Sequence, residues 1–131
     1  MSPDPVVMAY LEGVREEIDA VARLAAPPTN RLAAYHLQRV SEKLVKAVRL
    51  HRGHPATQEH RISLLLGALT ATAPWRERLE PLDRFSQFAT TYRYPSPTGR
   101  LRSGPDAAMQ EAGRFEVDTL LSLARSEFGG A

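Results

Sequence analysis

Ala34-Tyr35-His36-Leu37-Gln38-Arg39-Val40-Ser41-Glu42-Lys43-Leu44-Val45-Lys46-Ala47, running on to Gly53, is the stretch whose reading decides the fold. Leu37, Val40, Leu44 and Ala47 recur with the rhythm of one helical face, so the segment predicts an amphipathic helix. Beside that stripe Gln38, Glu42 and Lys46 stand four residues apart and line up in a single polar row. Glu42 precedes Lys46, the order that favours an ion pair along a helix. A polar row this close to an apolar stripe is either a solvated flank or the wall of a site.

Working outward, every other periodic segment is helical as well. Towards the N-terminus, Val7, Leu11, Val14, Ile18, Val21 and Ala25 alternate steps of four and three, which predicts a helix from about Pro5 to Ala25. Asp4 is its expected N-cap and Pro5 its first residue, where a missing N–H costs nothing; Pro27-Pro28 ends it. The second helix starts after Thr29 or Asn30, either a good cap, and stops near Gly53, a natural left-handed terminus. A third is expected from about Glu59 to Ala71, with Ile62, Leu65, Leu66 and Leu69 inward and Leu64 beside them, in the centre of the core.

Trp75, Leu79, Leu82, Phe85, Phe88 and Tyr92 have helical spacing, but Pro74 and Pro81 interrupt it, so a short lead-in before Pro81 is expected. Residues 94–104 read as an exposed basic loop carrying Arg100 and Arg102. Ser103 and Asp106 then form a capping-box-like start around Pro105. The last helix reaches about Phe128, with Val117, Leu120, Leu121, Ala124 and Phe128 inward, and Gly129-Gly130-Ala131 frays. The expected architecture is all-α, an antiparallel bundle of about five helices forming one domain over residues 1–131.

Composition narrows the function classes. The 131 residues can bury a real core, and the 43% hydrophobic and 24% charged content is that of a soluble globular protein. Cysteine is absent, which excludes disulfides and thiolate metal sites and fits a reducing cytoplasmic setting. No apolar run approaches the roughly 18 residues of a membrane span, and Met1-Ser2-Pro3-Asp4-Pro5 carries no signal-peptide charge. Seventeen cations against 15 anions is a mild bias; all but two of the cations are arginine. Such a balance permits phosphate or nucleic-acid contacts without indicating them. His36, His51, His54 and His60 form no metal-ligand pattern, and Gly53, Gly67 and Gly99 form no phosphate loop, so no metal or cofactor is expected.

Three fragments together resemble the HEPN domains (higher eukaryote and prokaryote nucleotide-binding). Gln38-x-x-x-Glu42-Lys43-x-x-Lys46-Ala47 is similar to the family's second helix, His60-Arg61-Ile62-Ser63-Leu64-Leu65 to the start of its third, and Arg93-Tyr94-Pro95 to the close of its fourth. Arg39 stands where a second glutamine is usual. The resemblance implies a small helical bundle, often a homodimer, commonly partnered in bacteria by a minimal nucleotidyltransferase. Many members are metal-independent ribonucleases with an arginine separated by four to six residues from a histidine. Arg93 takes the arginine position, but Thr98, Gly99 and Arg100 stand where that histidine is required.

The spacing also occurs at Arg31 with His36 and at Arg49 with His54, as chance allows in an arginine-rich chain. His60 reads either as a proton donor or phosphate contact, or as a helix-start histidine that locks the bundle. Glu42 and Lys46 read either as the wall of a groove or as a surface pair worth only about 0.3–0.5 kcal/mol. Arg93, Arg100 and Arg102 read as an anion-binding group or as structural residues around the helix end.

The leading reading is a non-catalytic HEPN-like binding module. It would be homodimeric and hold a nucleotide, RNA or a partner nucleotidyltransferase through Glu42, Lys46, His60, Arg93, Arg100 and Arg102. The alternative is a toxin-like ribonuclease in which His60 or His54 works beside Arg93; a third is a structural interaction domain without a ligand.

Overall fold

Asp4 starts the first helix, α1 (Pro5–Leu24), as its sequence predicts: its carboxylate accepts from the amides of Val6 and Val7, at 2.8 and 3.4 Å. The computed structural model describes residues 3–26, 29–70, 73–91, 94–101 and 104–129. Pro27, Pro28, Ala71, Tyr92, Arg93, Arg102, Ser103 and Gly130-Ala131, all singled out above, lie outside the described residues.

α2 (Asn30–His51) ends in a Schellman turn. Gly53, at φ +88°, donates to the Leu50 carbonyl, and the His54 amide reaches back to Arg49, each at 3.0 Å. It starts after Thr29, within the expected bounds, but without the expected side-chain cap. The Thr29 hydroxyl donates back to the carbonyls of Leu24 and Ala26, and the Asn30 side chain donates to Pro105, so neither side chain caps α2. Both are spent on tying α2 to its neighbours in space.

α3 (Ile62–Leu66) is shorter than the expected span of Glu59 to Ala71. Ahead of it, Glu59 accepts from the Arg61 amide and guanidinium, at 3.3 and 2.5 Å, and Arg61 is extended. Beyond it, Ala68 and Leu69 close three-residue turns onto Leu65 and Leu66. Ile62, Leu65, Leu66 and Leu69 are buried as predicted, but Leu64 is 52% exposed. The centre of the core is therefore α2, not α3: Ala33, Leu37, Val40, Leu44, Val45 and Val48 are fully buried around several faces of it.

Pro81, which has no amide to give, breaks the next segment into α4 (Pro74–Leu79), a 3-10 helix (Glu80–Phe85) and α5 (Phe88–Thr91). Trp75, Leu79, Leu82, Phe85 and Phe88 still all point inward. Residues 96–100 form a tight turn, with Gly99 at φ +82°.

Asp106 then caps α6 (Ala107–Phe128), accepting from the Met109 amide at 2.8 Å. Val117, Leu120, Leu121, Ala124 and Phe128 are inward, as their spacing predicts. Gly113 lets α6 lie close on α2, since a Cβ there would meet Leu37 Cδ2 at 2.8 Å and Phe85 Cζ at 2.9 Å. The buried Gln110 donates to the carbonyls of Asn30 and Pro105, which pins the start of α6 to the start of α2. α1 runs antiparallel to both: Glu17 meets Lys43 of α2 and Glu12 meets Arg125 of α6. The result is an all-α bundle whose buried side chains form one cluster, with no strand among the described residues.

Candidate functional site

Because α2 is the central helix, its polar row is drawn inward. Gln38 and Glu42 are only 4% and 9% exposed. A carboxylate in that position needs partners, because burial without them disfavours the charge. Glu42 has three: the Gln38 amide at 3.2 Å, Lys46 Nζ at 3.0 Å and His60 Nδ1 at 2.9 Å. Burial raises its pKa, but the hydrogen bonds from His60 and Lys46, with the Lys46 charge and the Gln38 amide, outweigh it. The net result lies below the ordinary value of 4.5.

The charge state fixes the imidazole. An ionised carboxylate only accepts, so Nδ1 of a neutral His60 carries the proton and Nε2 holds the free lone pair. The carboxylate and ammonium are mostly covered while the His60 side chain is 74% exposed. Nε2 therefore faces the solvent from a ring anchored at its other nitrogen. This arrangement can accept a proton, donate one when charged, or contact an anion.

The structure brings Glu42, Lys46 and His60 together. Arg100 is exposed in the turn at residues 96–100 and is not among the partners of Glu42; Arg93 and Arg102 lie outside the described residues. His54 is half-buried elsewhere, in a hollow of about 200 Å³ lined by Arg52, Leu69, Thr70, Ala73 and Trp75. Its spacing partner Arg49 instead lines a crevice with Tyr10, Lys46 and Thr57 that is too narrow for a water molecule. Arg49 and His54 thus do not share a pocket. Nor do Arg31 and His36 form a pair: His36 turns to Glu17.

That contact belongs to a second cluster, which the sequence reading missed. Glu17 of α1 accepts from Lys43 at 2.6 Å and is paired with Arg39 at 3.4 Å and His36 at 3.5 Å, all from α2. Arg39 also reaches the Tyr35 hydroxyl, and that bond, ahead of the Glu17 charge, raises its pKa. Two signals were present: His36, Arg39 and Lys43 are spaced along one helical edge, and Glu17 flanks the core stripe Val14-Ile18-Val21. Lys43 also borders an open, largely apolar groove of about 470 Å³ formed by Pro5, Val6, Ala9, Tyr10 and Gly13. Among the described residues, no three His, Cys, Asp or Glu side chains gather at one point, and no helix is long and apolar enough to cross a membrane.

A helical bundle whose central helix presents an acid and a lysine to a histidine at the head of the next helix is the class that fold and site define. The chain belongs to the HEPN domain family, whose model matches residues 11–125 and so spans all the candidate site residues. No curated protein and no solved structure matches the chain.

Proposed function

We propose that the chain is a single HEPN domain acting in the cytoplasm as a homodimeric binding module. It takes a phosphate-bearing ligand, a nucleotide or RNA, at the face where Lys46 and His60 meet Glu42. The observation that carries this reading is the anchored imidazole: Glu42 holds Nδ1, and Nε2 is turned outward beside a lysine. Arg93, Arg100 and Arg102 would add cations to the same ligand, and a minimal nucleotidyltransferase is the protein partner that the family suggests. The test is a thermal-shift titration of the purified protein with nucleotides and short RNAs, alongside its mass in solution. A ligand at a hundred times its dissociation constant adds about 2.7 kcal/mol of stability, which His60→Ala should remove. A monomer that binds neither class of ligand would overturn the reading and leave an interaction domain without a ligand.

The same imidazole favours a second reading, a metal-independent ribonuclease. An oriented Nε2 suits proton transfer from a ribose 2′-hydroxyl, while Arg93 neutralises the phosphate. His60 then takes the place of the histidine missing after Arg93, and His54 lies in a separate hollow. RNA cleavage that is lost in both His60→Ala and Arg93→Ala would select this reading. Intact RNA in the presence of the wild-type protein would eliminate it.

A further inference from the structure

The hollow of about 200 Å³ lies between the end of α2 and the residues leading into α4. Arg52 and His54 line it from the Schellman turn, and Leu69, Thr70, Ala73 and Trp75 line it from the other side. Its polar groups divide by kind. On the α4 side the acceptors are spent. The Leu69 carbonyl takes Arg76 Nη1 at 3.0 Å, the Thr70 carbonyl the Ala73 amide at 2.9 Å, and the Ala73 carbonyl the Arg76 amide at 3.0 Å. On the α2 side the carbonyls of Val48, Arg49 and Leu50 are spent on the amides of Arg52, Gly53 and His54. The side-chain donors are not spent. Among the described residues, the Arg52 guanidinium, the His54 ring and the Thr70 hydroxyl have no hydrogen-bond or ion-pair partner. No carboxylate lines the hollow. Glu127, which accepts from the Trp75 indole, is already faced by Arg78 at 4.0 Å.

We propose that this hollow is a phosphate site, separate from the face where Lys46 and His60 meet Glu42. Unmatched donors beside matched acceptors call for a ligand that brings acceptors and negative charge. A guanidinium gives a phosphate two parallel N–H bonds, and the imidazole and the hydroxyl add two further donors. Three donor groups suit a tetrahedral oxyanion better than a planar carboxylate, which offers only two oxygens. Size sets the other limit: the hollow is smaller than the roughly 300 Å³ at which pockets begin to enclose a drug-sized ligand. It therefore takes inorganic phosphate, or a terminal phosphate ester whose remainder stays outside. The proposal stands whether or not the His60 face binds a ligand.

Trp75 is the chain's single tryptophan and lines the hollow, so its fluorescence reports occupancy. Inorganic phosphate titrated into the purified protein should give a saturable change that chloride at equal ionic strength does not give. Arg52→Gln and His54→Gln should each raise the half-saturating phosphate concentration about tenfold. Both should melt as the wild type does, because neither side chain is bonded within the fold among the described residues. Arg23→Gln, which removes an exposed arginine of α1, should leave the half-saturation unchanged. Glycerol phosphate separates the two sources: saturation identifies a site open to terminal esters, and no saturation identifies one for free phosphate alone. A wild-type chain whose fluorescence and calorimetric binding heat respond to phosphate no more than to chloride overturns the proposal. So does a phosphate response that survives both Arg52→Gln and His54→Gln. A response that His60→Ala abolishes puts the anion on the Glu42 face, which overturns the hollow and leaves the reading of that face intact.

Discussion

Two covered carboxylates, one on the central helix and one facing it from α1, are built differently. Glu42 and Glu17 are about equally covered, with 12% and 14% of their side chains exposed. Glu42 draws two of its partners, Gln38 and Lys46, from its own helix and only His60 from elsewhere. Glu17 draws all of its partners from across the α1–α2 seam. Lys46 is as buried as the acid it serves, at 12%, while Lys43, His36 and Arg39 are 31%, 32% and 45% exposed. Glu42 therefore makes a fixed platform for one imidazole, and Glu17 makes a clasp whose cations can turn to water.

That difference sets the size of each mutational effect. Glu42→Ala strands a covered ammonium and a buried amide, so urea unfolding should show a loss of about 2–3 kcal/mol. Acid should erase that difference. The folded Glu42 titrates below 4.5, so its stabilisation is complete above that value and is lost as pH falls through the lower folded-state pKa. Wild type and Glu42→Ala should therefore converge in acid, and a gap that stays constant there would mean that the charge is not what stabilises. Glu17→Ala should cost only about 1 kcal/mol, since its cations can rehydrate; an effect equal to that of Glu42→Ala would erase the distinction between platform and clasp. His60→Ala should cost least, about 0.5 kcal/mol, because the ring is mostly exposed and Lys46 remains on the carboxylate. If ligand binding vanishes in that variant while stability barely moves, the platform serves the imidazole and not the fold.

Much of this was legible in the sequence because it is local. Asp4, Gly53 and Asp106 act within a turn of where they stand, and the stripes at Val7 to Val21 and Val117 to Phe128 bury as their spacing requires. The Gln38-Glu42-Lys46 row was visible for the same reason, and His60 was visible as a singular residue at a helix start. What sequence could not supply was long-range. Thr29 and Asn30 look like caps, and space assigns them to Leu24, Ala26 and Pro105. The apolar run around Ile62 looks central, yet α3 is a single short helix laid against α2, with Leu64 turned outward. The Glu17 clasp joins residues 19 to 26 apart along the chain, a pairing that only the packing of α1 on α2 reveals.

The anchored imidazole can be observed directly through the ring nitrogens of His60, by long-range 1H–15N NMR at a pH where the ring is neutral. The wild-type protein should show the proton on Nδ1, and Glu42→Ala should show a mixture of both tautomers. A wild-type ring protonated on Nε2, or a spectrum that Glu42→Ala leaves unchanged, would contradict the account.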